Sequence, residues 1–420
     1  MKILMLGWEY PPSITGGLGI ASHGVAESLA QLGHQVTFLL PKKDKKQQSK
    51  LVKLVDASGM AVDPKFWIKT RETVDEIEDV ELGAQVIAYM PPKIYKKLTT
   101  RVTSEKQGSL PEGSEITLTG KYDEGLLNET GKYALLAVQY AAEKKMDLVY
   151  CHDWPTFKAG RMAKEILGMP VAVHVHSTEY ERNGVYTNPT VIHEEGKGIN
   201  TADYVFAVSN QTRKTIIEKY KVKKGKITVT PNAGPLITFK KATGKKRKPT
   251  LAFVGRFTDQ KSPGTFIDIA RELTSRGKDY EFIMIGDGYL YHDLVQKCRA
   301  LNLSDRLKFP GFLSHQKVLE VMSQLDLLIA PSNAEPFGLV MLEAILQEVP
   351  VISSPGSGLS EFIPELPQAD RWDIYNSTSL AERLIEDKDY RSEVVKACLK
   401  KAKSLTWEKT AKIISEILAK

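Results

Sequence analysis

Glu335 and Glu343 stand eight residues apart in the run Pro331-Ser332-Asn333-Ala334-Glu335-Pro336-Phe337-Gly338-Leu339-Val340-Met341-Leu342-Glu343-Ala344. The apolar stretch Leu325 to Ala330 before it reads as a parallel strand covered on both faces, and Leu339 to Leu346 reads as a helix. Pro336 suits a helix entry, and Gly338 lets a ligand approach the backbone closely. Glu335 is therefore expected on the loop at the strand's carboxyl end, and Glu343 in the early helical turns. Open α/β sheets bind ligands at that edge, where free N–H groups and the helix dipole favour a phosphate. Two carboxylates beside a phosphate site would be a poor arrangement unless they held neutral hydroxyls. A sugar nucleotide offers two such sets, on its sugar and on its ribose.

Cations are expected at the same edge. Val254-Gly255-Arg256-Phe257 ends another predicted strand, and Lys261 follows five residues after Arg256. A guanidinium and an ammonium together can neutralise a diphosphate leaving group without a metal. Gly16-Gly17-Leu18-Gly19 follows the first predicted strand, and its adjacent glycines allow a backbone nest for phosphate. The full dinucleotide fingerprint is missing, because Ala21 and Ser22 stand where its last glycine would fall. Gly286-Asp287-Gly288 is a candidate nucleobase turn. His152-Asp153-Trp154 ends a first-half strand and is a candidate sugar-acceptor edge. His174 and His176 share a face if their strand runs through both; a zinc site would need two further ligands, and none is expected nearby.

The elements that position these groups form two doubly wound α/β units, each a Rossmann-like domain. Lys2 to Leu6, a helix over Ile20 to Leu32 and Gln35 to Leu40 make a strand–helix–strand opening. A helix near Leu126 to Lys144 and strands at Asp147 to Cys151 and Pro170 to His174 continue the unit. Between them, residues 41 to about 125 are charged, with short strand-like pieces at Gln85 to Tyr89 and Glu115 to Leu118, and no chemistry is assigned there. The basic stretch Lys240 to Lys248 reads as an exposed linker. Beyond it, strands at Thr250 to Val254, Glu281 to Ile285, Leu307 to Phe309, Leu325 to Ala330 and Pro350 to Ser353 alternate with helices. The expected domains are residues 1–240 and 246–403, with residues 404–420 as a terminal helix. Length agrees, since 420 residues suit two domains of about 200.

Composition narrows the class. Met1 to Leu6 runs straight into Gly7 and Trp8, so a signal peptide is not expected, and no apolar run is long enough to span a bilayer. Three isolated cysteines, Cys151, Cys298 and Cys398, lack metal-ligand spacing and suit a reducing cytoplasm. Net charge is +7, and its excess lysine clusters at Lys42, Lys43, Lys45, Lys46 and Lys50 and again at Lys240 to Lys248. Neither cluster has the interleaved aromatics of a nucleic-acid platform, so no nucleic acid is expected. They read as solvated loops, with weak contact to an anionic membrane as the other reading.

In these motifs the chain resembles the retaining glycosyltransferases of family 4 (group 1), of GT-B fold, with kinship to bacterial and archaeal glycogen synthases. Glu335-Pro336-Phe337-Gly338 through Glu343 matches that family's E-x7-E signature, and Gly16-Gly17, His176, Gly255-Arg256 with Lys261 and Gly286-Asp287-Gly288 follow its order. Trp407-Glu408 resembles the start of a helix that crosses back to the first domain. The resemblance implies that Glu335 holds the donor sugar and Glu343 the ribose, while Leu339 and Val340 offer N–H groups to the diphosphate. Phe337 and Gly338 belong to the same donor segment. It further implies that Arg256 and Lys261 stabilise the leaving nucleoside diphosphate, that His176 lies beside the anomeric carbon, and that Asp153 lies near the acceptor. The implied activity is hexosyl transfer from a UDP-, ADP- or GDP-linked sugar to a glycan or other hydroxyl acceptor, with no metal and no further cofactor. A sugar-nucleotide epimerase and a glycogen synthase proper are the alternatives. Three positions depart from the pattern: Ile14 where glycogen synthases usually carry lysine, Lys261-Ser262-Pro263 for the common K-G, and Pro231-Asn232-Ala233-Gly234-Pro235 for P-N-G-V/I-D. Asp387-Lys388-Asp389 matches a metal-binding D-x-D only formally and reads as a solvated turn.

Overall fold

A computed structural model describes residues 1–14, 16–63, 66, 116–121, 126–234, 239, 248–370 and 373–420. Its first strand, β1 (Lys2–Leu6), is solvent-free from Ile3 to Leu6, as a continuous aliphatic run in a parallel sheet must be. It pairs with β2 (Gln35–Leu40) on one side and β4 (Leu148–His152) on the other. With β3 (Lys53–Asp56), β5 (Val171–Val175), β6 (Tyr204–Ala207) and β7 (Ile227–Val229), they form a parallel seven-stranded sheet ordered β3-β2-β1-β4-β5-β6-β7. Helices α1 (Gly17–Gln31), α2 (Leu126–Lys144), α3 (Trp154–Leu167), α4 (Glu179–Asn183), α5 (Pro189–Thr201) and α6 (Asn210–Tyr220) accompany it.

The second sheet is also parallel and runs β10-β9-β8-β11-β12, built from β8 (Thr250–Val254), β9 (Glu281–Ile285), β10 (Leu307–Gly311), β11 (Leu327–Ala330) and β12 (Val351–Ser353). Its helices are α7 (Pro263–Ser275), α8 (Tyr291–Ala300), α9 (His315–Met322), α10 (Leu339–Leu346), α11 (Ile374–Glu386) and α12 (Lys388–Ala402). In both sheets the strand order reverses beside the unit's first strand, between β1 and β4 and between β8 and β11. Connections leave in opposite directions there and open a crevice at the carboxyl edge.

Several boundaries differ from expectation for local reasons. β11 starts at Leu327 rather than Leu325, because Asp326 turns its carboxylate onto the Thr250 N–H at 2.9 Å. Helix α1 starts at Gly17 rather than Ile20, so Gly17 and Gly19 lie in its first turn. Residues 116–118 of the Glu115 to Leu118 piece are not a strand; Ile116 exchanges backbone bonds with Gly59 and Met60 in a loop. Asp387 is a helix cap rather than a solvated turn, its side chain accepting from Tyr390 N at 3.0 Å ahead of α12. Gln85 to Tyr89 and all but the last residue of Lys240 to Lys248 lie outside the described residues.

The last helix, α13 (Trp407–Leu418), does return to the first domain. Ala411, Ile414 and Leu418 join Ile3, Met5 and Val25 in one apolar cluster. Its Thr410 Oγ1 donates to Pro231 O at 2.6 Å, where the chain leaves the first sheet. A second tie crosses in the other direction. Glu361, after β12, accepts from Asn210 N at 2.7 Å and Gln211 N at 2.8 Å, capping α6 of the first domain with a carboxylate of the second. An acid at a helix N-terminus satisfies orphan N–H groups and meets the positive dipole end.

Trp407 lies flat against α1 at Gly24, where an added Cβ would come within 2.3 Å of the indole. Helix propensity alone would make Gly24→Ala stabilising by about 1 kcal/mol, whereas overpacking costs about 1–3 kcal/mol. Steric exclusion wins at such a distance. Gly24→Ala should therefore lower the midpoint of chemical unfolding, and Gly24→Ala with Trp407→Leu should recover part of the loss.

Candidate active site

The two crevices face one another across a cleft of about 1620 Å³. Its second-domain wall begins where β8 ends. Gly255, Arg256 and a single 3-10 turn, Asp259–Lys261, carry the cations out of the sheet. Arg256 Nη2 donates to Gln260 Oε1 at 3.2 Å, and Lys261 Nζ donates to Glu335 Oε2 at 2.7 Å. Ser332 Oγ donates to that same carboxylate oxygen at 3.0 Å. Asn333 stitches the two loops together, its backbone N donating to Gln260 O at 2.7 Å and its side-chain Nδ2 to Asp259 O at 2.5 Å. Ser262, where a glycine was expected from the family pattern, keeps a left-handed φ of 47° between Lys261 and α7.

Gly338 caps α10 with φ 107°, a conformation that favours glycine, and a Cβ there would strike Met341 Cε at 2.2 Å. The N–H groups of Leu339 and Val340 follow at the head of α10, where helix geometry supplies no intrahelical acceptor. Phe337 lies alongside but is only 3% exposed and packs on Phe362, so it shapes the loop from the core. Glu343, 4% exposed, reaches back to the cleft, and its Oε1 meets His315 Nε2 at 2.7 Å. The hydrogen bond to Glu343, with its charge, raises the His315 pKa above the ordinary histidine value against desolvation.

Gly286 and Gly288 have a packing reason to be glycine. A Cβ on Gly286 would sit 1.9 Å from Gly255 O, and one on Gly288 would sit 2.5 Å from Phe257 O. The two loops thus lie backbone against backbone, and Phe257 N donates to Asp287 O at 2.8 Å. Asp287 still lines the cleft.

The first-domain wall begins at α1. Gly16 is extended (φ −169°), so the expected nest is replaced by a helix start at Gly17. A Cβ on Gly17 would approach Leu339 Cδ1 at 3.1 Å, which brings the heads of α1 and α10 together from opposite domains. Two helix N-termini facing one space suit an anion between them. Asp153 occupies the turn from β4 into α3 at φ 56°, a left-handed value unusual for a non-glycine residue. Its Oδ1 accepts from His176 N at 2.7 Å, which binds the ends of β4 and β5 together. Burial pushes the carboxyl up to about 7, against the nearby Arg182 charge and the His176 N–H.

His152 departs from expectation. It is fully buried behind the wall rather than on an acceptor edge, and its Nδ1 lies 2.9 Å from His176 Nε2. His174 stacks on His176 with ring centroids 4.3 Å apart, although β5 stops at Val175. Burial lowers the basicity of all three rings, His176 to about 3, so they are neutral near pH 7. Fold geometry brings in the third histidine that spacing alone did not reveal. Both His174 nitrogens are nevertheless engaged, by Tyr150 Oη at 3.1 Å and Thr230 Oγ1 at 3.2 Å. His152 Nδ1 and His176 Nε2 are likewise engaged, with each other, at 2.9 Å. His176 Nδ1 and His152 Nε2 are both buried without a partner among the described residues, and of the two residues it is His176 that lines the cleft.

Sequence reasoning missed His315, Ser332, Gln260 and Arg182. His315 and Arg182 lie in no recognisable motif, while Ser332 stands inside the Glu335 run and Gln260 next to Lys261; the role of each comes from tertiary pairing. Arg182 is clamped by Glu179 at 3.2 Å, Glu195 at 2.6 Å and Ser177 O at 2.7 Å, which places a positive charge behind Asp153.

Residues 2–226 match the family model described as the starch synthase catalytic domain, and residues 237–398 match glycosyl transferases group 1. The chain is 24% identical to the uncharacterized glycosyltransferase MJ1607 of Methanocaldococcus jannaschii, over 98% of this chain and 96% of the relative. It is 24% identical to a glycogen synthase of Mycobacterium tuberculosis, over 86% of this chain and 80% of the relative. Among solved structures it resembles Anabaena Alr3699/HepE in complex with UDP and glucose, with TM-score 0.69, 17% identity and coverage of 100% and 99%. Sucrose-phosphate synthase from Thermosynechococcus elongatus gives TM-score 0.73 at 17% identity, covering 100% and 98%. These structures share the GT-B architecture.

Two outcomes follow from the geometry. Asp153→Asn keeps an acceptor for the His176 N–H and removes the titration. The folded wild type binds the Asp153 proton more tightly than the unfolded chain (pKa about 7 against 3.8), so its stability relative to Asp153→Asn should fall as pH rises from 3.8 to about 7 and level off above. Thermal unfolding of both proteins across that range checks the sign. Removing the His315 partner should loosen Glu343, and His315→Ala should weaken nucleotide binding by about threefold to tenfold in calorimetry, as loss of a charge-assisted hydrogen bond would.

Proposed function

The chain belongs to the group 1 glycosyltransferases, with a first half of the starch synthase catalytic type, and on that premise we propose that it is a retaining hexosyltransferase that works without a metal. A UDP-linked hexose is the first donor to test, since solved structures of similar fold bind UDP, glucose and UDP-glucose. The observation that carries the reading is the Lys261 Nζ–Glu335 Oε2 contact of 2.7 Å at the head of α10. It puts a cation, a sugar-binding carboxylate and unpaired helix N–H groups within one loop junction.

In this reading Arg256, Lys261 and the Leu339 and Val340 N–H groups hold the donor diphosphate. As the bond from the anomeric carbon to the diphosphate oxygen breaks, they take up the charge that develops on that oxygen. The acceptor hydroxyl forms the new bond to the same carbon from the same face, and its proton passes to the departing diphosphate. Glu335, fixed by Lys261 and Ser332, orients the sugar hydroxyls and is no nucleophile. Glu343, braced by His315, takes the ribose. His176, neutral through burial, adds a hydrogen-bonding nitrogen beside the sugar without adding charge, and Asp153 borders the acceptor. Positioning and preorganised charge then supply most of the rate.

Lys261→Ala should lower kcat by about 10²–10³, the loss typical of one preorganised transition-state donor. Glu335→Gln should act in the same direction, with folding followed by circular dichroism. Near wild-type turnover in both variants would sink the mechanism. Chelation with EDTA should leave the rate unchanged, and stereochemical analysis of the product should show the donor's anomeric configuration. A thermal-shift panel of UDP-, ADP- and GDP-sugars identifies the base, since binding raises the unfolding midpoint whatever the acceptor.

A further inference from the structure

Lys42, Lys43 and Lys121 line the cleft on its first-domain side, opposite the cations assigned to the donor diphosphate. Two segments supply them, the loop after β2 and the stretch of residues 116–121, which are far apart in sequence. Each segment is held by a buried polar side chain. Gln47, 3% exposed, donates from Nε2 to Tyr10 O at 2.6 Å and accepts from Asp44 N at 2.7 Å, which sets the course of the loop. Glu129 of α2, 8% exposed, accepts from Thr119 N at 2.6 Å and Gly120 N at 3.0 Å, which fixes the backbone just before Lys121. Gly120 adopts φ 68° and packs so closely that a Cβ there would lie 3.3 Å from Lys42 Cβ.

Among the described residues no carboxylate forms an ion pair with these three lysines, although acids line the same wall. Asp44 accepts from Ser13 Oγ and the Lys46 N–H, Asp153 accepts from the His176 N–H, and Glu179 pairs with Arg182 and Asn183. Like charges lining one wall of a cleft repel one another, and a multivalent anion relieves that repulsion. The donor's phosphates have their own cations and helix terminus on the other wall, so the anion belongs to the second substrate.

We propose that Lys42, Lys43 and Lys121 form an acceptor subsite for a phosphate group, and that the hexosyl acceptor is a phosphorylated hydroxyl compound. This rests on the transferase reading above. The transfer itself is unchanged: the acceptor hydroxyl bonds to the anomeric carbon, the bond to the diphosphate breaks and the hydroxyl proton leaves with the nucleoside diphosphate. The acceptor phosphate takes no part in bond making and serves to hold the hydroxyl in place.

The test pairs each acceptor with its phosphorylated form, using the full chain and the donor found by thermal shift. Glucose is compared with glucose 1-phosphate and glucose 6-phosphate. Free myo-inositol, with phosphatidylcholine vesicles present, is compared with vesicles that also contain phosphatidylinositol. Phosphorylated acceptors should have the higher kcat/KM by at least about tenfold, with the advantage shrinking as salt rises. Preference for the soluble phosphates assigns the subsite to a sugar phosphate, and preference for phosphatidylinositol vesicles assigns it to a lipid headgroup. The K42S/K43S/K121S variant should raise KM for the phosphorylated acceptor about tenfold, the scale of a few charge-assisted contacts, while leaving donor affinity and slow donor hydrolysis unchanged. Arginine at the three positions should restore most of the KM. Equal use of neutral and phosphorylated acceptors, or an unchanged KM in the serine variant, overturns the proposal while leaving the transferase reading intact. Weakened donor binding in that variant overturns it too, by assigning the lysines to the donor. Absence of both transfer and donor hydrolysis in the wild type removes the transferase reading, and the subsite with it.

Discussion

The Lys261–Glu335 contact is the interaction on which the rest of the cleft depends. It joins the loops that leave β8 and β11, the two strands between which the second sheet reverses direction. Both side chains are largely shielded, at 19% and 8% exposure, so removing either partner would strand a partly buried charge. The loops cannot splay while this pair and the Asn333 bonds hold. Arg256 and the head of α10 are thereby kept at one spacing, as a diphosphate bound at both ends would require.

The first domain is tied to this arrangement at several points. Gly17 meets Leu339, Glu361 caps α6, and α13 lies back across α1 while Thr410 holds Pro231. Each contact uses a group that a helix end or a close approach leaves in need of a partner. The cleft is therefore an interdomain space with walls of different character. One wall carries the Arg256 and Lys261 loop. The other carries buried neutral histidines, a carboxyl shifted toward neutrality and a lysine rim.

Opposite electrostatic solutions on the two walls follow from burial. Glu335 and Glu343 are buried beside basic partners, Lys261 and His315. His152, His174 and His176 are buried with one another, with Tyr150 and with Thr230, where a proton would add an unpaired charge. Desolvation favours their neutral forms.

The chain's own sequence determined the two parallel sheets, because aliphatic runs of strand length alternating with amphipathic helices permit little else. It also determined the Glu335 and Glu343 spacing and the Arg256 and Lys261 pair, since each is a local pattern carried within one or two elements, while the return of the last helix was implied by the family resemblance at Trp407-Glu408. Tertiary structure decided what depends on contacts between distant segments. It buried His152 and made it a partner of His176, set His315 on Glu343, and began α1 at Gly17. It gave Gly286 and Gly288 a packing role, since their constraint is the backbone of the Gly255 to Phe257 loop rather than anything in their own run. It also set Gly120, held by Glu129, against Lys42. Periodicity and spacing record what a residue does with its near neighbours along the chain. Desolvation, loop-on-loop packing and the convergence of charges arise only when segments far apart in sequence share the same space.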